Sequence, residues 1–121
     1  MSRKYDAVVT DGIVRIAIRG AFTGAQGADA VALAVRKAGE VGASLVLFDI
    51  RGLDHPAYHA SVITRADNAS KSGISAFKVA ILGDPESELL AFIENVATNR
   101  GLRARCFTDE AAALRWLKAS R

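Results

Sequence analysis

The stretch Leu45-Val46-Leu47-Phe48-Asp49-Ile50-Arg51-Gly52-Leu53 constrains this chain more than any other. Four apolar residues run into an acid, and a glycine follows three positions later. A short unbroken apolar run suits a strand buried on both faces, so 45–50 is read as the central strand of a sheet. Helices must then cover both faces, which points to an α/β domain. Working sites in open α/β sheets form where the strands end at their carboxyl side. The segment 50–60 is therefore the first place to look for a functional surface.

The flanking segments fit that frame. Residues 5–9 read as a short strand, Asp11-Gly12 as a tight turn, and 13–19 as a half-buried strand. In 13–19, Val14, Ile16 and Ile18 share one face while Arg15 and Arg19 take the other. The two strands make an antiparallel hairpin at one edge of the sheet. A helix is expected from about Gly27 to Val41, with Val31, Ala34, Val35, Ala38 and Val41 inward and Gly42 closing it. A second helix is expected over 57–70, started by Pro56, with Tyr58, Val62, Ala66 and Ala69 inward. Phe77, Val79 and Ile81 alternate with Ala76, Lys78 and Ala80, giving another strand.

Gly83-Asp84-Pro85-Glu86 is a helix start, with Asp84 as cap, and Leu89, Phe92, Ile93 and Val96 form the buried face that follows. Asn99-Arg100-Gly101 ends that helix, and 104–107 makes the last strand. Thr108 is read as the cap of a final helix, with Asp109 and Glu110 in its first turn. Ala113, Leu114, Leu117 and Trp116 make its contact stripe. The expected order is β-β-α-β-α-β-α-β-α. No linker or repeat interrupts it, so 1–121 is read as a single domain with a mixed sheet of about five strands and about four helices.

Composition narrows the function classes. Sixteen basic and 13 acidic residues leave a net charge of +3, too mild an excess to argue for nucleic acid. Arg100, Arg103 and Arg105 are the only tight basic group, and are read as solvated edge positions. Aromatic residues make up 7% of the chain, which favours close helix–sheet packing over a ring-lined pocket. Cys106 is the sole cysteine, which excludes an internal disulfide and fits a reducing compartment. The first residues are polar and no apolar run approaches membrane-spanning length, so a soluble cytoplasmic protein is expected.

Candidate chemistry gathers around the central strand. His55 and His59 stand four apart with Asp54 and Asp49 upstream, a spacing that can hold a metal on a helix. Pro56 lies between them and no HExxH pattern is present, so no metal site is expected. Asp49 can serve as a catalytic or ligand-positioning carboxylate. The favoured reading is structural: it accepts hydrogen bonds from the amides of Arg51, Gly52 and Leu53 at a sharp exit turn, or pairs with Arg51. No serine sits in a nucleophile elbow, and Gly20, Gly24 and Gly27 lack the phosphate-binding lysine of a nucleotide loop. Cys106 is read as a buried, inert thiol. The residues point to no catalytic group and no cofactor. An enzyme using Asp49, His55 or His59 is disfavoured, ranking below both the interaction-module and the ligand-binding readings.

Several stretches together resemble the STAS superfamily, and within it the SpoIIAA-like branch. They are Asp11-Gly12-Ile13-Val14, Gly20-Ala21-Phe22-Thr23, the central 45–53 run, Val79-Ala80-Ile81-Leu82-Gly83-Asp84-Pro85, and 107–117. The resemblance implies an anti-sigma-factor-antagonist-like fold. In those antagonists an acid-leucine-serine-glycine stretch ends the central strand, and Asp49-Ile50-Arg51-Gly52 looks like its counterpart. They then carry a phosphorylated serine after an acid, and this sequence has Tyr58 and Ala57 there, followed by His59 and Ala60. The phosphoswitch motif is thus missing.

The resemblance implies a non-catalytic regulatory or protein-interaction module. Its expected partner surface comprises Asp49, Arg51, Asp54, His55, Tyr58, His59 and Val62. A protein partner or a homodimer is the expected ligand. The same branch is likened to lipid-binding domains, so the alternative is a small-molecule or lipid site in an apolar groove near 50–62, using Leu53, Tyr58, Val62 and Phe22.

Overall fold

The computed structural model describes residues 5–20, 24–53, 77–83, 89–99 and 101–119. Five strands form one mixed sheet in the order β1-β2-β3-β4-β5: β1 (Tyr5–Thr10), β2 (Ile13–Gly20), β3 (Leu45–Leu53), β4 (Lys78–Leu82) and β5 (Arg103–Phe107). The first pair is antiparallel, and β2 through β5 run parallel. Three helices lie among the described residues: α1 (Gly24–Val41), α2 (Leu89–Asn99) and α3 (Glu110–Lys118). The expected helix over 57–70 and the Asp84-Pro85 cap lie outside the described residues.

The hairpin forms as its sequence dictates. Asp11 at φ 55° and Gly12 at φ 77° make the left-handed pair that a two-residue β-turn needs. Strand β2 departs from the half-buried reading. Val14, Ile16 and Ile18 are buried on one face, but Ile13 is buried on the other, so part of each face is covered.

Alternation along β2, β3 and β4 divides the core into two layers. Val14, Ile16, Ile18, Val46, Phe48 and Val79 pack with Ala30, Ala34 and Ala38 of α1. Alanines let the α1 axis approach the sheet closely, and they are the deepest residues of its face. Val31 and Val35 flank that stripe, while Val41 is exposed rather than inward. The helix also begins at Gly24, earlier than the apolar periodicity announces. On the opposite face Ile13, Leu47, Ala80 and Leu82 meet Ala113 and Leu117 of α3. Val96 and Ala97 bury the face of α2.

Helix ends follow local chemistry. Gly101, at φ 78°, turns the chain out of α2 while its amide donates to the Thr98 carbonyl (3.0 Å) and the Leu102 amide to that of Ala97 (3.0 Å). The cap of α3 is Asp109, not Thr108. The Asp109 carboxylate accepts from the Ala112 amide at 3.3 Å, which moves Glu110 to the first helical position.

Candidate functional site

The central strand ends differently from the turn expected at Asp49–Gly52. β3 continues to Leu53, and the irregularity is a bulge inside its pairing with β2. Ala17 faces Asp49 and Arg19 faces Gly52, so β3 carries an extra residue between those pairs. Asp49 supports the bulge locally: its Oδ1 accepts from the Arg51 amide at 3.1 Å.

The bulge leaves Leu47, Asp49 and Arg51 along the face that α3 covers. Leu47 is fully buried there, and beyond it the strand becomes ionic. The Nε and Nη2 of Arg51 donate to Asp49 Oδ1 (3.0 Å) and Oδ2 (2.8 Å), a two-toothed guanidinium–carboxylate pair. Arg15, beside Leu47 in the register with β2, donates from Nη1 and Nη2 to both Glu110 oxygens, at 3.1 and 2.7 Å. Arg51 Nη2 also donates to Glu110 Oε1 at 3.1 Å, and Arg15 Nη2 stands 3.5 Å from Asp49 Oδ2. Two cations and two anions therefore close one charge-balanced network across β2, β3 and the start of α3.

The electrostatics follow from that geometry. The Arg51 guanidinium holds the Asp49 carboxyl below the ordinary carboxylate value against the opposing effect of burial, with Arg15 assisting. Arg15, helped by Arg51, does the same for Glu110. In return Glu110 raises the Arg15 pKa and Asp49 raises that of Arg51. Glu110 also lies at the positive end of the α3 dipole, where a carboxylate is favoured.

The far end of α3 is held by a different cation. Lys78 is buried at the start of β4, and its Nζ donates to the Trp116 carbonyl and, at 3.0 Å, to that of Ala119. The ammonium also lies 4.5 Å from the centre of the Trp116 ring. Burial, with the nearby Arg103 charge, lowers the Lys78 pKa. Cys106 faces α2, and burial pushes its thiol up to about 12.

Of the residues singled out from the sequence, Asp49 and Arg51 come together as one pair. Asp54, His55, Tyr58, His59 and Val62 lie outside the described residues, as does Phe22. Leu53 ends β3. Sequence reasoning missed Arg15 and Glu110, which stand 95 positions apart. The available signal was a charge on the strand next to the central one, together with an acid opening the last helix. Among the described residues, no three His, Cys, Asp or Glu side chains group as metal ligands. No helix among them is long and apolar enough to cross a membrane.

Comparison with known proteins bears on the architecture. One similar solved structure is an uncharacterised protein of the DUF3478 family from Shewanella loihica PV-4, described as having a SpoIIAA-like fold. It superposes with a TM-score of 0.61 at 23% identity, over 93% of this chain and 91% of that one. The chain has the SpoIIAA-like fold. No protein-family model matches the sequence, and no curated protein is significantly similar to it. Within the SpoIIAA-like frame, the Arg15–Asp49–Arg51–Glu110 network occupies the carboxyl side of the central strand, where α/β sheets place their sites.

Proposed function

We propose that this chain is a non-catalytic STAS-type module, regulatory or protein-binding, acting in the cytoplasm through the carboxyl end of its sheet. Asp49 and Arg51 form the described part of the partner surface. Asp54, His55, Tyr58, His59 and Val62 are assigned to it from the sequence. One observation carries the reading: among the described residues, the ionisable groups Arg15, Asp49, Arg51 and Glu110 at this end neutralise one another. A general acid or base works best with a pKa near the operating pH. Asp49 and Glu110 are instead driven the other way and stay ionised at neutral pH. A surface of engaged, solvent-reachable charges suits recognition, where complementary potentials select partners.

The test is co-purification from the native cell under non-denaturing conditions. The wild-type chain is compared with R51A, Y58A and H59A, each checked for an unchanged melting temperature. The expected result is a stoichiometric partner protein that at least one substitution releases. Partners retained by all three variants would overturn the assignment of this surface.

A further inference from the structure

Glu110 sits in the network as a ligand would. Its carboxylate receives the terminal nitrogens of Arg15 and a terminal nitrogen of Arg51. Asp49 holds Arg51 from the side, through Nε and Nη2. That grip leaves Nη1 of Arg51 without a hydrogen bond among the described residues. Both guanidinium tips thus converge on one carboxylate and have donors to spare.

The Glu110 contact is also the one that opens most easily. The Asp49 side chain is 14% exposed, whereas those of Arg15, Arg51 and Glu110 are 31%, 40% and 39% exposed. Ion pairs this open to water are weak, because solvent replaces them at little cost. Glu110 has a long, rotatable side chain on the first residue of α3 and can swing outward without moving the helix. Asp49 would stay behind and keep Arg51 oriented.

We propose that Arg15 and Arg51 form a docking clamp for a carboxylate of an acidic peptide segment on a partner protein, with Glu110 closing the clamp in its absence. This rests on the protein-binding reading and names the chemistry of the partner. The occupant already present is a carboxylate, held by two guanidinium groups, and a partner's Asp or Glu side chain makes the same bonds. The vacated clamp also has the amino end of α3 beside it, which favours an anion. Glu110 then acts as a competing internal ligand, and the apparent affinity for the peptide falls by the fraction of time the clamp is closed.

The test uses the purified full chain and a fluorescein-labelled oligoglutamate peptide, read by anisotropy at low salt. Glu110→Gln should bind about tenfold more tightly than wild type, within the usual range for a competing two-state contact. Glu40→Gln makes the same change in net charge on α1 and should shift affinity by less than about twofold. Arg15→Ala and Arg51→Ala should each abolish binding. Equal gains in E110Q and E40Q, binding that survives loss of either arginine, no binding by any variant, or preference for a phosphopeptide lacking acidic residues would overturn the clamp.

Should E110Q fold poorly, carboxyl NMR of the wild type replaces it. Added peptide should move the Glu110 signal toward that of a solvated glutamate and leave Asp49 in place. An unmoved Glu110 signal would overturn the proposal. If the peptide fails while R51A, Y58A or H59A still releases a cellular partner, the clamp is wrong and the interaction surface stands.

Discussion

Asp49 does two jobs at one position. Its Oδ1 fixes the β3 bulge through the Arg51 amide, and the whole carboxylate orients the Arg51 guanidinium. Asp49→Asn should cost about 1 kcal/mol at neutral pH, since these are charge-assisted bonds close to solvent. The pH dependence has a definite sign. Folding depresses the Asp49 pKa, so the unfolded chain takes up the proton first as pH falls. The stabilisation is complete above the ordinary carboxylate value of 3.8 and is lost as pH drops through the folded value. Urea melts of wild type and D49N should therefore differ at pH 7 and converge in strong acid. A gap that persists there would assign the effect to packing. Cys106 makes a second residue-scale case. With its thiol pushed up to about 12, it should react with an aromatic disulfide reagent at pH 8 far more slowly folded than in urea. Equal rates would contradict its burial. The Asp49–Arg51 pair was legible in the sequence because its members are two residues apart. Arg15 and Glu110 were not, because only the closed sheet brings them together.

Helix α3 is held at both ends by cations of the sheet. Its first residue, Glu110, meets Arg15 and Arg51, and its last carbonyls meet Lys78. The Glu110 carboxylate at the amino end and the Lys78 ammonium at the carboxyl end each complement the helix dipole. Lys78→Met keeps most of the side-chain volume and removes the ammonium from the Trp116 and Ala119 carbonyls. It should cost about 1–2 kcal/mol in urea denaturation. Trp116 is the only tryptophan, so its emission should move to longer wavelength as the last turn loosens. Unchanged stability and emission would show that packing of Ala113 and Leu117 alone fixes the helix. Alternation alone did not reveal the anchor. It placed Lys78 opposite Val79, and nothing local announces that α3 ends over it. The slip of the α3 cap from Thr108 to Asp109 has a similar origin. Both residue types cap helices well, and only the bond to the Ala112 amide separates them.

Across the whole molecule, the readable features were those that repeat at short range. The apolar run of β3, the alternation in β2 and β4, and the Asp11-Gly12 turn each follow from local sterics and burial, and together they yield the mixed sheet. Strand and helix limits were less readable. β3 runs on through Asp49 and Arg51 because β2 still offers pairing there, and α1 starts before its alanine stripe. The candidate site depends on chain closure, which joins β2, β3 and α3 at the carboxyl end of the sheet. There Arg15, Asp49, Arg51 and Glu110 hold each other ionised. Carboxyl carbon NMR across a pH titration of the folded chain measures this at both acids. Asp49 should titrate below 3.8 and Glu110 below 4.5. A midpoint near neutrality for either acid would contradict it, and would mark that carboxyl as a proton-transfer group.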